Sequence, residues 1–319
     1  MKLNLFGAIS LSIMMFIACK TTDVDNSSTI TTTTYKGTGS ATQGIGKSTI
    51  NGLYSCSGGR VTSVGTITST DGKLWTVPAE TNFSTATKLT DLFNECTGSK
   101  PTSISQVDLS KVPTVVIDAD GEVITGYIHG DNYYELYVNG KLVGVDAVPY
   151  TPFNSSVVKF KAKRPIKYAV KLVDWEENLG IGSEANGGNA YYPGDGGFIA
   201  KFSDGTSTSS AWKAQTFYIA PLADINCVTE TGNSRISSSC GNSPSSGAKS
   251  YALNWEIPST WFSSDYDFSK WPSATTFTEA QVGVKPAYSN FTSSFSGSQF
   301  IWSSNLVLDN LVLLRFTGN

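Results

Sequence analysis

The chain has 319 residues, enough for one large or two modest domains with a real core, which excludes disorder throughout. Charged residues make up 15%, against about 25% in an average soluble protein, and the net charge is 23 − 26 = −3 with no basic run, so a nucleic-acid partner is excluded. Ser and Thr supply roughly a quarter of the chain and Gly and Pro punctuate it, a mix that favours short strands over long helices; one histidine, His129, excludes histidine clusters and zinc sites.

The chain opens with Met1-Lys2, an apolar stretch from Leu3 to Ala18, and Cys19. The run is too short and too interrupted for a spanning helix of about 20 residues, and its layout is that of an export signal. Phe16-Ile17-Ala18-Cys19 resembles the lipobox of bacterial lipoproteins, with Phe16 where that family usually has Leu. The resemblance implies cleavage of residues 1–18, a lipidated Cys19 carrying acyl chains (palmitate among them), and anchoring to a membrane surface without crossing it. Lys20, rather than Asp, after the cysteine implies the outer membrane or cell surface. Four cysteines then remain, Cys56, Cys96, Cys227 and Cys240, an even number in an oxidising compartment. Three pairings are possible, and proximity along the chain favours Cys56 with Cys96 and Cys227 with Cys240.

Residues 19–48 are Thr, Ser and Gly with hardly an apolar side chain and read as a flexible tether. Within them Ala41-Thr42-Gln43-Gly44-Ile45-Gly46-Lys47-Ser48 meets a relaxed phosphate-loop pattern, but a Thr-rich tail stands where a buried strand is needed, and no nucleotide is expected. Residues 49–112 read as a small cystine-stapled β-rich region with a turn at Asp71-Gly72; its most helical stretch is Ala86 to Cys96, where Leu89, Leu92 and Phe93 fall at i, i+3, i+4.

From residue 113 to 319 the strand signals are clear. Runs at 115–118, 123–128, 133–138, 142–145, 157–160, 168–173, 198–202, 212–219, 300–302 and 307–316 predict an all-β, antiparallel β-sandwich. Asn139-Gly140 predicts a type I′ hairpin with Tyr134, Leu136 and Val138 on one face and Tyr133, Glu135 and Tyr137 on the other. Two long polar loops, Glu176 to Gly196 and Val228 to Ser250, interrupt the strands.

Several strings together resemble the galactose-binding-like jelly roll, the accessory sugar-binding module of rhamnosidases and other glycoside hydrolases. They are Asp131 to Gly140 (DNYYELYVNG), Gly196 to Ala200, Asp204-Gly205 leading to Trp212-Lys213, Asp267 to Ala274 (DFSKWPSA), and Phe300-Ile301-Trp302 leading to Asp309 and Arg315-Phe316. In those modules the Ile-Trp and Arg-Phe strand opens the domain, whereas here it closes the chain, so the order reads as circularly permuted, and the usual catalytic barrel is absent. The resemblance implies a fold and a ligand class, glycan, and transfers no active site.

Aromatic rings stack on sugar faces while carboxylates and amides take the hydroxyls. Trp175, Glu176, Glu177, Asn178, Tyr191, Tyr192 and Asp195 supply that mixture on one loop, with the rival reading that Trp175 ends a core strand and the tyrosines cover it. Asp174, Glu177 and Asp195, with Glu176 and Glu184 nearby, could offer oxygens to Ca²⁺. Asp118-Ala119-Asp120-Gly121 starts like a calcium loop but lacks its remaining ligands and reads as a turn. Glu135 and Glu177 are conceivable hydrolytic partners, with an outward surface role the default for Glu135; Trp212 and Phe316 are expected in the core with Lys213 and Arg315 outside. The functional expectation is therefore a membrane-anchored, non-catalytic, glycan-binding sandwich. Its rivals are a structural or adhesive module binding surface proteins and a carbohydrate-active hydrolase.

Overall fold

The computed structural model describes residues 35–318 except 152, 180, 187, 244 and 245; the leader and Cys19 lie outside the described residues. In chain order come β1 (Ser40–Gln43), β2 (Lys47–Ile50), β3 (Val64–Thr68), β4 (Leu74–Val77), β5 (Thr90–Asn94) and β6 (Thr114–Val116). The longer strands follow: β7 (Glu122–Asp131), β8 (Tyr133–Val138), β9 (Lys141–Val145), β10 (Asn154–Ala162) and β11 (Lys167–Val173). The chain then runs through β12 (Glu184–Asn186), β13 (Asn189–Tyr192), β14 (Gly197–Phe202), β15 (Lys213–Leu222), β16 (Thr229–Thr231), β17 (Ser234–Ile236) and β18 (Tyr251–Asn254). It closes with β19 (Thr275–Phe277), the one-turn helices α1 (Glu279–Val282) and α2 (Pro286–Ser289), β20 (Phe300–Trp302) and β21 (Asp309–Thr317).

Two seven-stranded sheets dominate. One has the order β1-β18-β15-β21-β11-β8-β9, the other β19-β20-β14-β7-β10-β5 with β6 parallel on β10. The fold is thus an all-β sandwich of antiparallel sheets, of a kind compatible with a jelly roll. Period-2 alternation explains how the first sheet is used. Tyr134, Leu136 and Val138 of β8, with Tyr168, Val170 and Leu172 of β11, face the second sheet, whose Ile124, Ile128, Phe160 and Phe198 complete the central core. The alternate residues Tyr133, Tyr137, Ala169 and Val173 point the other way, into a second core. That core is closed by the β2-β3-β4 sheet, through Val64, Ile67 and Val77, and by Trp255, Trp261 and Trp271. The first sheet is therefore buried on both faces. The expected hairpin is present, with Asn139 at φ 47° and Gly140 at φ 78°, the left-handed pair a type I′ turn requires.

Both expected disulfides form, Cys56–Cys96 and Cys227–Cys240. Several boundaries differ from expectation. The tether does not run to 48, because Ser40–Gln43 pairs antiparallel with β18 and Lys47–Ile50 pairs with β3. A carboxylate makes this possible: Glu230 accepts hydrogen bonds from Tyr35 Oη (2.8 Å), Thr38 N (2.8 Å) and Thr38 Oγ1 (2.7 Å), fixing the segment where it enters the sheet. Residue 112 is no boundary either, since β5 joins the second sheet through β10. The stretch expected to be helical is that strand; Leu89, Leu92 and Phe93 are all buried, and tertiary pairing overrides the local period. Asp118 to Gly121 forms a turn, with Gly121 N donating to Asp118 O at 3.1 Å.

Candidate functional site

The residues expected to bind ligand gather at one end of the sandwich, where β7, β11 and the loops around β12 and β13 meet. Trp175 is fully buried; its ring meets Tyr133 edge-on at 5.9 Å and its Nε1 donates to Ser63 O at 3.1 Å. It ends a core strand and offers no face to a sugar, which corrects the expectation that it binds ligand. Tyr191 is half-buried, Tyr192 is exposed, and Glu177 is engaged by Ala185 N (2.9 Å) and the Arg60 guanidinium (3.9 Å). Glu184 also pairs with Arg60 and accepts from Tyr150 Oη at 2.9 Å.

Beneath these side chains sits a buried acidic cluster. Asp131, Asp174 and Glu176 are 6%, 2% and 1% exposed, and burial pushes all three carboxyls well above the usual range, reinforced for Asp131 and Asp174 by Glu176, Asp195 and Glu184 and for Glu176 by Glu184 and Glu177. Asp195, less deeply placed, is pushed up to about 6, chiefly by burial and then by Glu184. Glu176 Oε1 accepts from Gly194 N at 2.9 Å, whereas Glu176 Oε2, Asp174 Oδ2, Asn178 Nδ2 and Ser183 Oγ have no partner. Among the described residues no three acidic, histidine or cysteine side chains converge as metal ligands, so the structure does not assemble Asp174, Glu177 and Asp195 into the expected calcium site. Burial in low dielectric outweighs the opposing charges of Arg60 on Glu176 and Lys285 on Asp131, which favours the protonated carboxyls.

The hydrolytic pair also dissolves. Glu135 is not outward but completely buried: it accepts from Asn82 N (2.6 Å), Asn82 Nδ2 (2.8 Å) and Tyr137 Oη (2.8 Å), with Lys171 Nζ at 3.7 Å. These bonds fasten the segment after β4 onto the first sheet. Glu135 and Glu177 thus serve different anchors. Trp212 and Phe316 stack in the core as expected (5.1 Å, 13°), but Arg315 is buried too, donating to Ser263 O at 3.0 Å and lying 4.7 Å from the Phe268 ring. His129 is buried with Nδ1 3.1 Å from Asn154 O, and burial pulls it down to about 4, leaving the ring neutral.

A larger groove lies elsewhere, on the outer side of the first sheet. A groove of about 700 Å³ runs between β4 and the segment following β18. Trp75 and Lys73 line one wall, Trp255 and Glu256 the other, and Phe217 with Tyr218 the floor. An irregularity in the pairing of β15 between Thr216 and Tyr218 accompanies this placement of two successive aromatics on one core. Trp75 is half-buried, oriented by its Nε1 bond to Ser69 Oγ at 3.0 Å. Asn254, 4% exposed, lines the groove with its Nδ2 unpartnered. A smaller cavity of about 280 Å³ adjoins across Phe217, Glu256 and Pro258 and contains Arg235, whose guanidinium lies 4.5 Å from the Trp255 ring.

Sequence reasoning missed this groove. The signal available was Lys73-Leu74-Trp75 and Asn254-Trp255-Glu256, two short strings each placing a tryptophan within two residues of a charged side chain. No family model, curated protein or solved structure matches the chain.

Proposed function

We propose that this chain is an exported, lipid-anchored envelope protein whose sandwich binds glycan, without catalysis, in the groove between β4 and the segment after β18. One observation carries the reading: a groove of about 700 Å³ walled by Trp75 and Trp255, with aromatic surface on both sides. The half-buried Trp75 supplies a ring face, and Glu80 and Glu256 supply acceptors for further hydroxyls.

The export reading rests on Leu3 to Ala18 followed by Cys19, and the two cystines fit an oxidising compartment. The galactose-binding-like reading draws support from its strings falling on β8, β14, β20 and β21 of the sandwich. Screening the whole chain on a glycan array tests the function. Binding that Trp75→Ala lowers about tenfold or more, as loss of one stacking contact in a small site would, supports it. A clean negative from folded protein points instead to a module that binds surface proteins.

A further inference from the structure

The second sheet has an outer face that is only half covered. Over the half near His129 lie Tyr288, Phe291 and Phe295, which belong to α2 and the turn after it; the His129 and Tyr288 rings are 6.1 Å apart. The other half is open. Its rows follow from register: Lys201 pairs with Tyr127 and Tyr127 with Val157, while Thr125 pairs with Lys159 and Val123 with Lys161, beside Val116. Val116 and Val123 are 61% and 57% exposed.

A cleft of about 340 Å³ opens there, lined by Leu109, Thr125, Tyr127, Lys159, Lys201 and Ser203 among others, with no carboxylate in its wall among the described residues. Lys159 Nζ is held by Leu109 O at 2.5 Å, a neutral acceptor that leaves the charge uncompensated, whereas Lys161 Nζ, held by Ala119 O at 2.7 Å, also feels the Asp120 carboxylate. The Lys201 ammonium has no hydrogen bond or ion pair among the described residues, while the Lys201 backbone sits in the β14–β7 ladder. In a protein of net charge −3 this is a local reversal of sign.

We propose that this open face is a second binding site, for an acidic polysaccharide whose carboxylates reach Lys201 and Lys159 while a sugar ring lies on Tyr127. Two strand spacings and two residues separate these lysines, with β7 between them, so their Cα atoms stand about 12 Å apart, a spacing for an extended chain bearing repeated charges rather than a single anion. Thr125 and Ser203 offer hydroxyls between them. An anionic lipid headgroup shares the charge but has no use for a flat row with an aromatic at its centre.

The test measures binding of the whole chain to polygalacturonate, to neutral dextran and to phosphatidylglycerol vesicles, at low and high salt. Expected are binding to polygalacturonate that weakens with salt and an affinity about tenfold lower in Lys201→Glu. Tyr127→Ala should also bind more weakly, and Trp75→Ala, on β4 of the three-stranded sheet, should bind normally. Lys201→Gln, with an unchanged melting temperature, separates loss of charge from loss of fold. Equal binding of dextran, binding to vesicles alone, or an unaltered Lys201→Glu overturns the proposal.

Discussion

The Lys73 ammonium lies 4.0 Å from the centre of the Trp75 ring and at the same time pairs with Glu256 on the facing wall of the groove. One side chain therefore occupies the surface on which a sugar would stack and straps the two walls together. Exposed ion pairs contribute about 0–1 kcal/mol and exposed cation–π contacts about 0.5–1 kcal/mol, so a ligand can displace the strap at small cost.

Removing the strap should expose the ring. Lys73→Ala is expected to leave the melting temperature nearly unchanged and to bind glycan several-fold more tightly, where Trp75→Ala binds more weakly. Titration calorimetry on both variants decides it. If Lys73→Ala loses as much affinity as Trp75→Ala, the lysine is a ligand contact and the strap idea is wrong.

Asn254 separates binding from folding. Its Nδ2 is buried and unpartnered, so Asn254→Leu should be as stable as the parent or about 1 kcal/mol more stable while glycan binding is retained. Denaturant unfolding and the array together check this. A folded variant that no longer binds would show that the amide opens to the ligand.

The acidic cluster predicts stability that rises toward acid. Asp131, Asp174 and Glu176 have carboxyls raised above their unfolded values, and Asp195 is raised to about 6. The folded state therefore binds more protons than the unfolded state above about pH 4, the unfolded carboxylate range. This contribution is fully present below that pH and is lost as pH rises through the folded values. Asp174→Asn should raise the melting temperature at neutral pH and flatten its pH dependence; a parent protein that melts higher at pH 8 than at pH 5, with the slope intact in Asp174→Asn, would contradict it.

The Cys227–Cys240 bond closes a loop with a sequence separation of 13 around the β16–β17 hairpin, and that hairpin carries Glu230. Loops of this size gain about 3 kcal/mol from closure. Replacing both cysteines by Ser should lower stability by about that amount and, with Glu230→Ala, make the segment around Tyr35 to Gly39 sensitive to protease. Protection equal to the parent's would mean the clamp is held by β1 alone.

If Cys19 carries lipid, Cys19→Ser should move the protein from the membrane fraction to the soluble fraction. Retention in membranes would remove the anchor from the functional reading.

The sequence by itself determined what local chemistry decides. Alternation from Tyr133 to Val138 made the strand and its two faces legible, Asn139-Gly140 the turn, and even cysteine count with short spacing the pairing, because each depends on a few neighbouring residues. The tertiary structure decided whatever depends on what is laid across the sheet. Glu135 reads as a surface acid from its neighbours alone, but Asn82, distant in sequence, buries and satisfies it. Trp175 reads as a sugar platform until the segment bearing Ser63 closes over it. The groove needs Trp75 and Trp255 to face one another, two residues 180 positions apart on segments brought together by the second core. No periodicity carries that information, since it arises only when a sheet buried on both faces must be covered.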